Sequence, residues 1–313
     1  MARLTIAALA AATLLLLPAG ASAAPAAIGI GEQNATIFSD PAWQRLNAPD
    51  VRFVVAWDAL RVRWQRDETD AYMRAAGQAG ARVLVVFSRS RSPRKSRRKY
   101  LPSPRRFRRE FLRFHRRYPF VKSYLTWNEA NHRGQPTWNR PKIVGRYHDI
   151  LRRNCRGCTV GGPSVLDTLA MPRWVKKVER AAKTRIRVWG LHNYIDANRF
   201  RTSGTRSLLR ATKAKIWFTE TGGLVRRDNG SRIEFAESKR HAVRATRHVM
   251  LLARLSRRVQ RVYFYHWVAP APEATWDSAL IDPHGRPRPS YDVVYSYIRG
   301  SRAANRKLRA LAR

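Results

Sequence analysis

Short apolar runs rich in β-branched residues recur along this chain, with amphipathic helical segments between them. Val83-Leu84-Val85-Val86-Phe87 is the clearest. A run without polar alternation suits a strand buried on both faces, as in a parallel sheet covered by helices. Eight candidates follow one another: residues 27–31, 51–57, 83–87, 121–127, 159–162, 186–191, 215–219 and 262–267. Between them Phe107, Phe111, Phe114 and Tyr118 recur at helical spacing, with arginines on the other faces. A second helix is expected over 234–257, with Val243, Met250 and Leu251 on one side, and a last one opens at Pro289. Eight such units in roughly 270 residues predict a single (β/α)8 TIM barrel, an α/β fold. The rival, an open doubly wound sheet, lacks support: Ile28-Gly29-Ile30-Gly31 leads into Glu32-Gln33-Asn34 without a glycine-rich phosphate loop.

The ends are read separately. Arg3, the apolar stretch from Leu4 to Leu17, Pro18 and Ala21-Ser22-Ala23 have the order of a secretory signal peptide over 1–23. This predicts a barrel over 24–300, a basic tail over 301–313, and a secreted or cell-wall-associated protein. No later run is long and apolar enough to span a bilayer.

The net charge is +41. Such a field attracts polyanions, among them anionic cell-wall polymers and acidic polysaccharide. Residues 89–117 are the densest basic stretch and resemble a nucleic-acid tail when taken alone. Arginine coats helix faces all along the chain, however, and export removes most nucleic acid from reach, so no specific nucleic-acid partner is expected. Cys155 and Cys158 are the two cysteines. They lack further ligands for a tetrahedral zinc site, and a structural disulfide clipping the turn is expected outside the cytoplasm.

Two glutamates end apolar runs: Glu129 in Tyr124-Leu125-Thr126-Trp127-Asn128-Glu129, and Glu220 in Ile216-Trp217-Phe218-Thr219-Glu220. By count they end strands 4 and 7, at the rim where parallel α/β enzymes keep their chemistry. A pair of carboxyls there suits glycoside hydrolysis, one to protonate the leaving oxygen and one to attack. Trp127-Asn128-Glu129 with a strand-7 glutamate resembles the clan A retaining glycoside hydrolases. The likeness continues through His192-Asn193-Tyr194, Trp267 and residues 279–291. It implies a (β/α)8 glycosidase with Glu129 as acid/base and Glu220 as nucleophile, requiring no cofactor or metal. Many members carry an arginine near the end of strand 2 and a histidine near strand 3, where this chain reads Trp57-Asp58 and Ser88-Arg89.

Further roles follow from that frame. Asn128 is expected to hydrogen-bond the sugar 2-hydroxyl, Tyr194 to orient Glu220, His192 to face the mouth, and Trp267 to form a flat floor for a sugar ring. Glu129 is expected to have a raised pKa, through the charge of Glu220 and partial burial. By alternation, Trp217 and Trp189 are expected to face the surrounding helices. Trp57, Asp58, Trp138 and Trp276 are candidates for lining the cleft; Glu32 and Asp167 are rim carboxylates without assigned chemistry. The favoured function is a retaining glycoside hydrolase acting on β-linked saccharide. The alternative is a barrel that binds carbohydrate or wall polyanion without turnover.

Overall fold

A computed structural model describes residues 25–92, 99–228, 235–271 and 274–311, with side chains through residue 303. The expected leader, and residues 93–98 of the basic stretch, lie outside the described residues.

The strands are β1 (Ala27–Gly31), β2 (Asp50–Ala56), β3 (Arg82–Ser88), β4 (Ser123–Leu125), β5 (Thr159–Gly161), β6 (Ser164–Leu166), β7 (Val188–His192), β8 (Lys215–Thr221), β9 (Arg226–Arg227), β10 (Val259–Tyr265) and β11 (Trp276–Asp277). The helices are α1 (Pro41–Leu46), α2 (Arg63–Gln78), α3 (Pro104–Arg117), α4 (Pro141–Asn154), α5 (Met171–Ala181), α6 (Tyr194–Asn198), α7 (Ser203–Ala211), α8 (Lys239–Arg254) and α9 (Pro289–Leu311). All nine strands of the main sheet pair in parallel, in the order β5-β4-β3-β2-β1-β10-β8-β7-β6. β5 and β6 are one strand interrupted at Gly162-Pro163, where proline has no N–H for the ladder. Its first half pairs with β4 and its second with β7, so the sheet closes into the expected barrel. β9 and β11 form a separate antiparallel ribbon.

Alternation sorts the side chains. Val51, Phe53 and Val55, like Val83, Val85 and Phe87, join the cluster beneath the helices. Leu84, Val86, Leu125, Val188, Trp217 and Tyr263 fill the barrel. At its lower end Asp50 receives Arg82 (Nη2 to Oδ2 2.7 Å) and Arg261 (Nη1 to Oδ1 3.0 Å), which neutralises a carboxylate that burial alone would penalise. Helix α3 shows how the outer layer is specified. Pro104 opens it, and the Ser103 hydroxyl accepts from Arg106 N–H. Phe107, Phe111 and Phe114 then meet Phe87 edge-on at 5.5, 6.1 and 5.6 Å. Truncating one such buried phenylalanine to alanine costs about 3–5 kcal/mol.

Four expectations change. Trp217 lies inside the barrel, under the Arg261 guanidinium at 4.4 Å, and does not face the helices; Trp189 does, donating to Glu179 Oε1 at 3.1 Å. On α8 the buried face comprises Ala242, Ala245, Val249 and Leu252, whereas Leu251 is exposed. Helix α9 runs on to Leu311, so the expected tail prolongs a helix. Finally, β10 ends at Tyr265, leaving Trp267 beyond the strand.

Candidate active site

The C-terminal ends of the strands bring the two glutamates together. Among the described residues, donor atoms of Glu129, His192 and Glu220 all lie within 4.8 Å of one another. Glu129 follows β4 with φ at +46°, a left-handed conformation unusual for a residue with a side chain. Such a conformation costs of order 1–3 kcal/mol and persists where its surroundings fix it. Here Ser164 does so: its Oγ accepts from Glu129 N–H (3.1 Å) and its carbonyl from Ala130 N–H (2.9 Å).

Glu220 is aimed by an irregularity in β8. Phe218 pairs with Leu191, yet Glu220 pairs with His192, so β8 holds one residue more than β7 across this step. The same extra residue shows against β10, where Val262 meets Phe218 and Phe264 meets Thr221. A bulge reverses the alternation. Below it Trp217 faces inward; above it Glu220 does. Extending the alternation unbroken from Glu220 puts Ile216 and Phe218 inside, which is how the orientation of Trp217 was misread.

Beside Glu220 stands a residue the sequence reading missed. Arg52 of β2 is fully buried and inward-facing. Its Nη1 lies 2.9 Å from Glu220 Oε2, and its Nη2 donates to Asn128 Oδ1 at 2.5 Å. The end of the strand, Trp57-Asp58, carries no arginine. The guanidinium instead reaches the mouth from the third residue of β2, flanked by outward Val51 and Phe53. A charged residue at an inward position was the available signal.

His192 ends β7, with Nδ1 3.1 Å from Glu129 Oε1 and 3.6 Å from Glu220 Oε2. Its Nε2 lies 3.3 Å from Arg52 Nη2. A guanidinium can only donate, so Nε2 accepts and the imidazole proton sits on Nδ1, directed at Glu129. The Tyr194 hydroxyl donates to Glu220 Oε1 at 3.3 Å. Burial of that phenol, with Glu220 close by, pushes its pKa well above the ordinary value, so it stays a donor. Asn128 turns Oδ1 to Arg52, which leaves the amide NH₂ to donate elsewhere.

The Glu129 carboxyl departs from expectation. Burial pushes its pKa up, but the His192 hydrogen bond and the electrostatic influence of His192, His132 and Arg52 outweigh this and hold it below the ordinary value. Trp267 also differs. Its indole is fully buried, donates to Asp40 Oδ2 at 2.7 Å, and packs against Tyr291 of α9, so it offers no floor to a sugar. The aromatic that does face the carboxylates is Tyr265, half-buried at the end of β10 with the charges of Glu220 and Glu129 acting on it. Trp276, partly exposed, meets Tyr194 edge-on at 4.7 Å. Trp57 and Asp58 are buried, and Trp138 is exposed on the β4–α4 loop. Glu32 is structural: Oε1 accepts from Gln33 and Asn34 N–H, and Oε2 from Trp267 N–H.

Glu129, His192 and Glu220 have the donor types to ligate a divalent cation. The Arg52 guanidinium already neutralises Glu220 there and would repel such an ion.

No protein-family model matches this sequence, and a search of curated proteins returns no match. Solved structures do match. A psychrophilic family 10 endo-beta-1,4-xylanase superposes with a TM-score of 0.64 at 12% identity, over 87% of this chain and 96% of that one. A GH5_18 structure from Streptomyces cattleya, in complex with GlcNAc, gives 0.63 at 17% identity, over 90% and 81%. A family 39 glycoside hydrolase from Bacteroides cellulosilyticus WH2 gives 0.60 at 12% identity, over 88% of this chain. The resemblance is one of fold. The chain spans 64% of the length of the family 39 protein. At this level the likeness to clan A glycoside hydrolases holds, without resolving a subfamily.

Proposed function

We propose that the protein is an exported glycoside hydrolase that cleaves β-linked saccharide with retention of configuration. The observation carrying this reading is the convergence of Glu129 and Glu220 on one barrel mouth, with donor atoms within 4.8 Å. A separation near 5–5.5 Å between carboxyls suits double displacement; inversion needs about 6.5–9.5 Å to admit a water. In the first step Glu220 bonds to the anomeric carbon as the glycosidic C–O bond breaks, and the leaving oxygen takes the proton of Glu129. In the second, water attacks the same carbon, Glu129 accepts its proton, and Glu220 leaves as carboxylate.

Arg52 and Tyr194 would hold Glu220 aligned for attack, a contribution of positioning. The Asn128 amide would donate to the sugar 2-hydroxyl. Glu129 must carry a proton at the first step, although His192 favours its ionised form. The reading therefore includes a rise on substrate binding, as a sugar excludes water from the mouth and strengthens the upward push of burial.

Hydrolysis of β-glucans, xylans and aryl β-glycosides should be lost in Glu220→Ala. In Glu129→Ala it should fall by about 10²–10⁴-fold on ordinary substrates, and far less on dinitrophenyl glycosides, whose leaving group needs no proton. Proton NMR should show the β-anomer formed first. Equal activity of wild type and Glu220→Ala, or an inverted first product, would end the reading. Saccharide binding without cleavage would favour the non-catalytic barrel. Export predicts a mature N-terminus near Ala24, read by N-terminal sequencing.

A further inference from the structure

A cleft of about 2030 Å³ opens two residues past Glu129 along the chain, with neither Glu129 nor Glu220 in its lining. It begins at Asn131 and His132, passes over the loop that leads into α4, and extends along the outer faces of α4 and α5. Nine lysine and arginine side chains line it, and among the described residues no aspartate or glutamate does. The whole chain carries 62 Lys and Arg against 21 Asp and Glu, so a proportionate cleft of this charge would include about three carboxylates.

The arrangement is ordered. Lys142 and Arg146 stand one turn apart on α4, and Arg173, Lys177 and Arg180 stand at i, i+4 and i+7 on α5. Such neighbours are about 5–6 Å apart at Cβ, so each helix presents a row of cations to the cleft. The two rows are brought together where α4 meets α5 closely: a Cβ on Gly145 would fall 2.9 Å from Val178 O. Among the described residues none of the nine cations forms an ion pair, whereas Arg61, Arg82 and Arg117 elsewhere each have a carboxylate. The nearby acids are engaged away from the cleft: Asp149 accepts from Lys183 and Thr184 N–H, and Glu179 from Trp189 and Thr212. Nine like charges without counter-charges repel one another, and an anionic ligand relieves that repulsion.

The floor is fixed. Trp127 Nε1 donates to Gln135 Oε1 at 3.0 Å, Thr137 Oγ1 to Ala130 O at 2.9 Å, and Trp174 Nε1 to Trp138 O at 2.8 Å. The Trp138 ring is 43% exposed there, with the Arg133 guanidinium 5.9 Å from its centroid.

We infer that this cleft binds an acidic polysaccharide, bearing uronate or sulfate groups, and feeds the same chain to Glu129 and Glu220. The substrate is then anionic on the side of the cut that occupies this cleft. This rests on the hydrolase reading for its catalytic half, while the binding half stands on the cleft itself. The start of the cleft at Asn131 and His132, two and three residues past Glu129, favours polysaccharide over nucleic acid as the occupant.

The test uses the full-length mature chain with Glu220→Ala. Its binding is measured to mannuronate-rich alginate, hyaluronan and chondroitin sulfate, each against its carboxyl-reduced or desulfated counterpart, and to a DNA oligonucleotide. At least one acidic polymer should bind about tenfold or more tighter than its neutral counterpart, with affinity falling as salt rises. Arg173→Ala/Lys177→Ala should weaken that binding about tenfold, and leave melting temperature and wild-type-background aryl glycoside hydrolysis unchanged. Equal binding of acidic and neutral polymers, unchanged binding in the double variant, or tighter binding of DNA would overturn the inference. Hydrolysis of aryl glycosides alongside those results would leave the hydrolase reading standing. Cleft binding with no hydrolysis of any substrate would instead remove the hydrolase reading and keep the cleft.

Discussion

The Arg52 guanidinium, fully buried, lies 2.9 Å from Glu220 while its other nitrogen holds Asn128, so one side chain from β2 fixes two strand ends. Removing one partner of a buried pair costs about 3–5 kcal/mol, since the other charge is left uncompensated. Arg52→Lys keeps the charge and loses the fork. Its kcat should fall about 10²-fold through misplacement of Glu220, with KM changing less. Wild-type kcat in Arg52→Lys would show that the fork is not needed.

His192 and its neighbours hold the Glu129 carboxyl low. Without the imidazole, burial dominates and the carboxyl keeps its proton to higher pH. The alkaline limb of the kcat/KM profile should therefore move up in His192→Ala. A limb that stays, or moves down, contradicts the assignment of that limb to Glu129.

Asp167 is buried above β6, close to Asp196, and burial pushes its pKa up to about 7. Its Oδ2 accepts from Asp196 N–H at 2.9 Å, a bond an asparagine oxygen can also accept. Between the unfolded value near 3.8 and about 7, the folded state holds the proton that the unfolded state has lost. Stability from this group is thus present at low pH and lost as pH rises through that window. Asp167→Asn should melt at a higher temperature than wild type at pH 8, with the gap closing toward pH 4. A gap independent of pH refutes the raised value.

Cys155 and Cys158 are joined by a disulfide across a separation of three residues. So short a loop removes little chain entropy, about 2 kcal/mol. Denatured, unreduced protein should show no free thiol, and Cys155→Ser/Cys158→Ser should keep its activity while losing no more than about that stability. Two titratable thiols, or a collapse of folding in the variant, would contradict this.

The barrel was legible because continuous apolar strands and arginine-faced helices are composition written at the correct period. Glu129, Glu220, His192 and Tyr194 were legible because strand ends converge in a closed sheet wherever the intervening loops go. Arg52 was not, because its reach depends on a long side chain rising inside the barrel from the middle of a strand. Trp267 was misplaced because β10 ends two residues earlier than the apolar run suggests, which turns the indole into the packing against α9. Trp217 was misplaced because alternation was extended through a bulge that leaves no mark in composition.

That supernumerary position in β8 makes the aim of Glu220, the proposed nucleophile, a matter of counting. With the same residues in an unbroken pleat, Trp217 inside would put the Glu220 carboxylate out beneath the helices, whereas deleting Thr219 would keep Glu220 opposite His192 and facing inward. The bulge is therefore as much a determinant of the proposed chemistry as the identity of the acid.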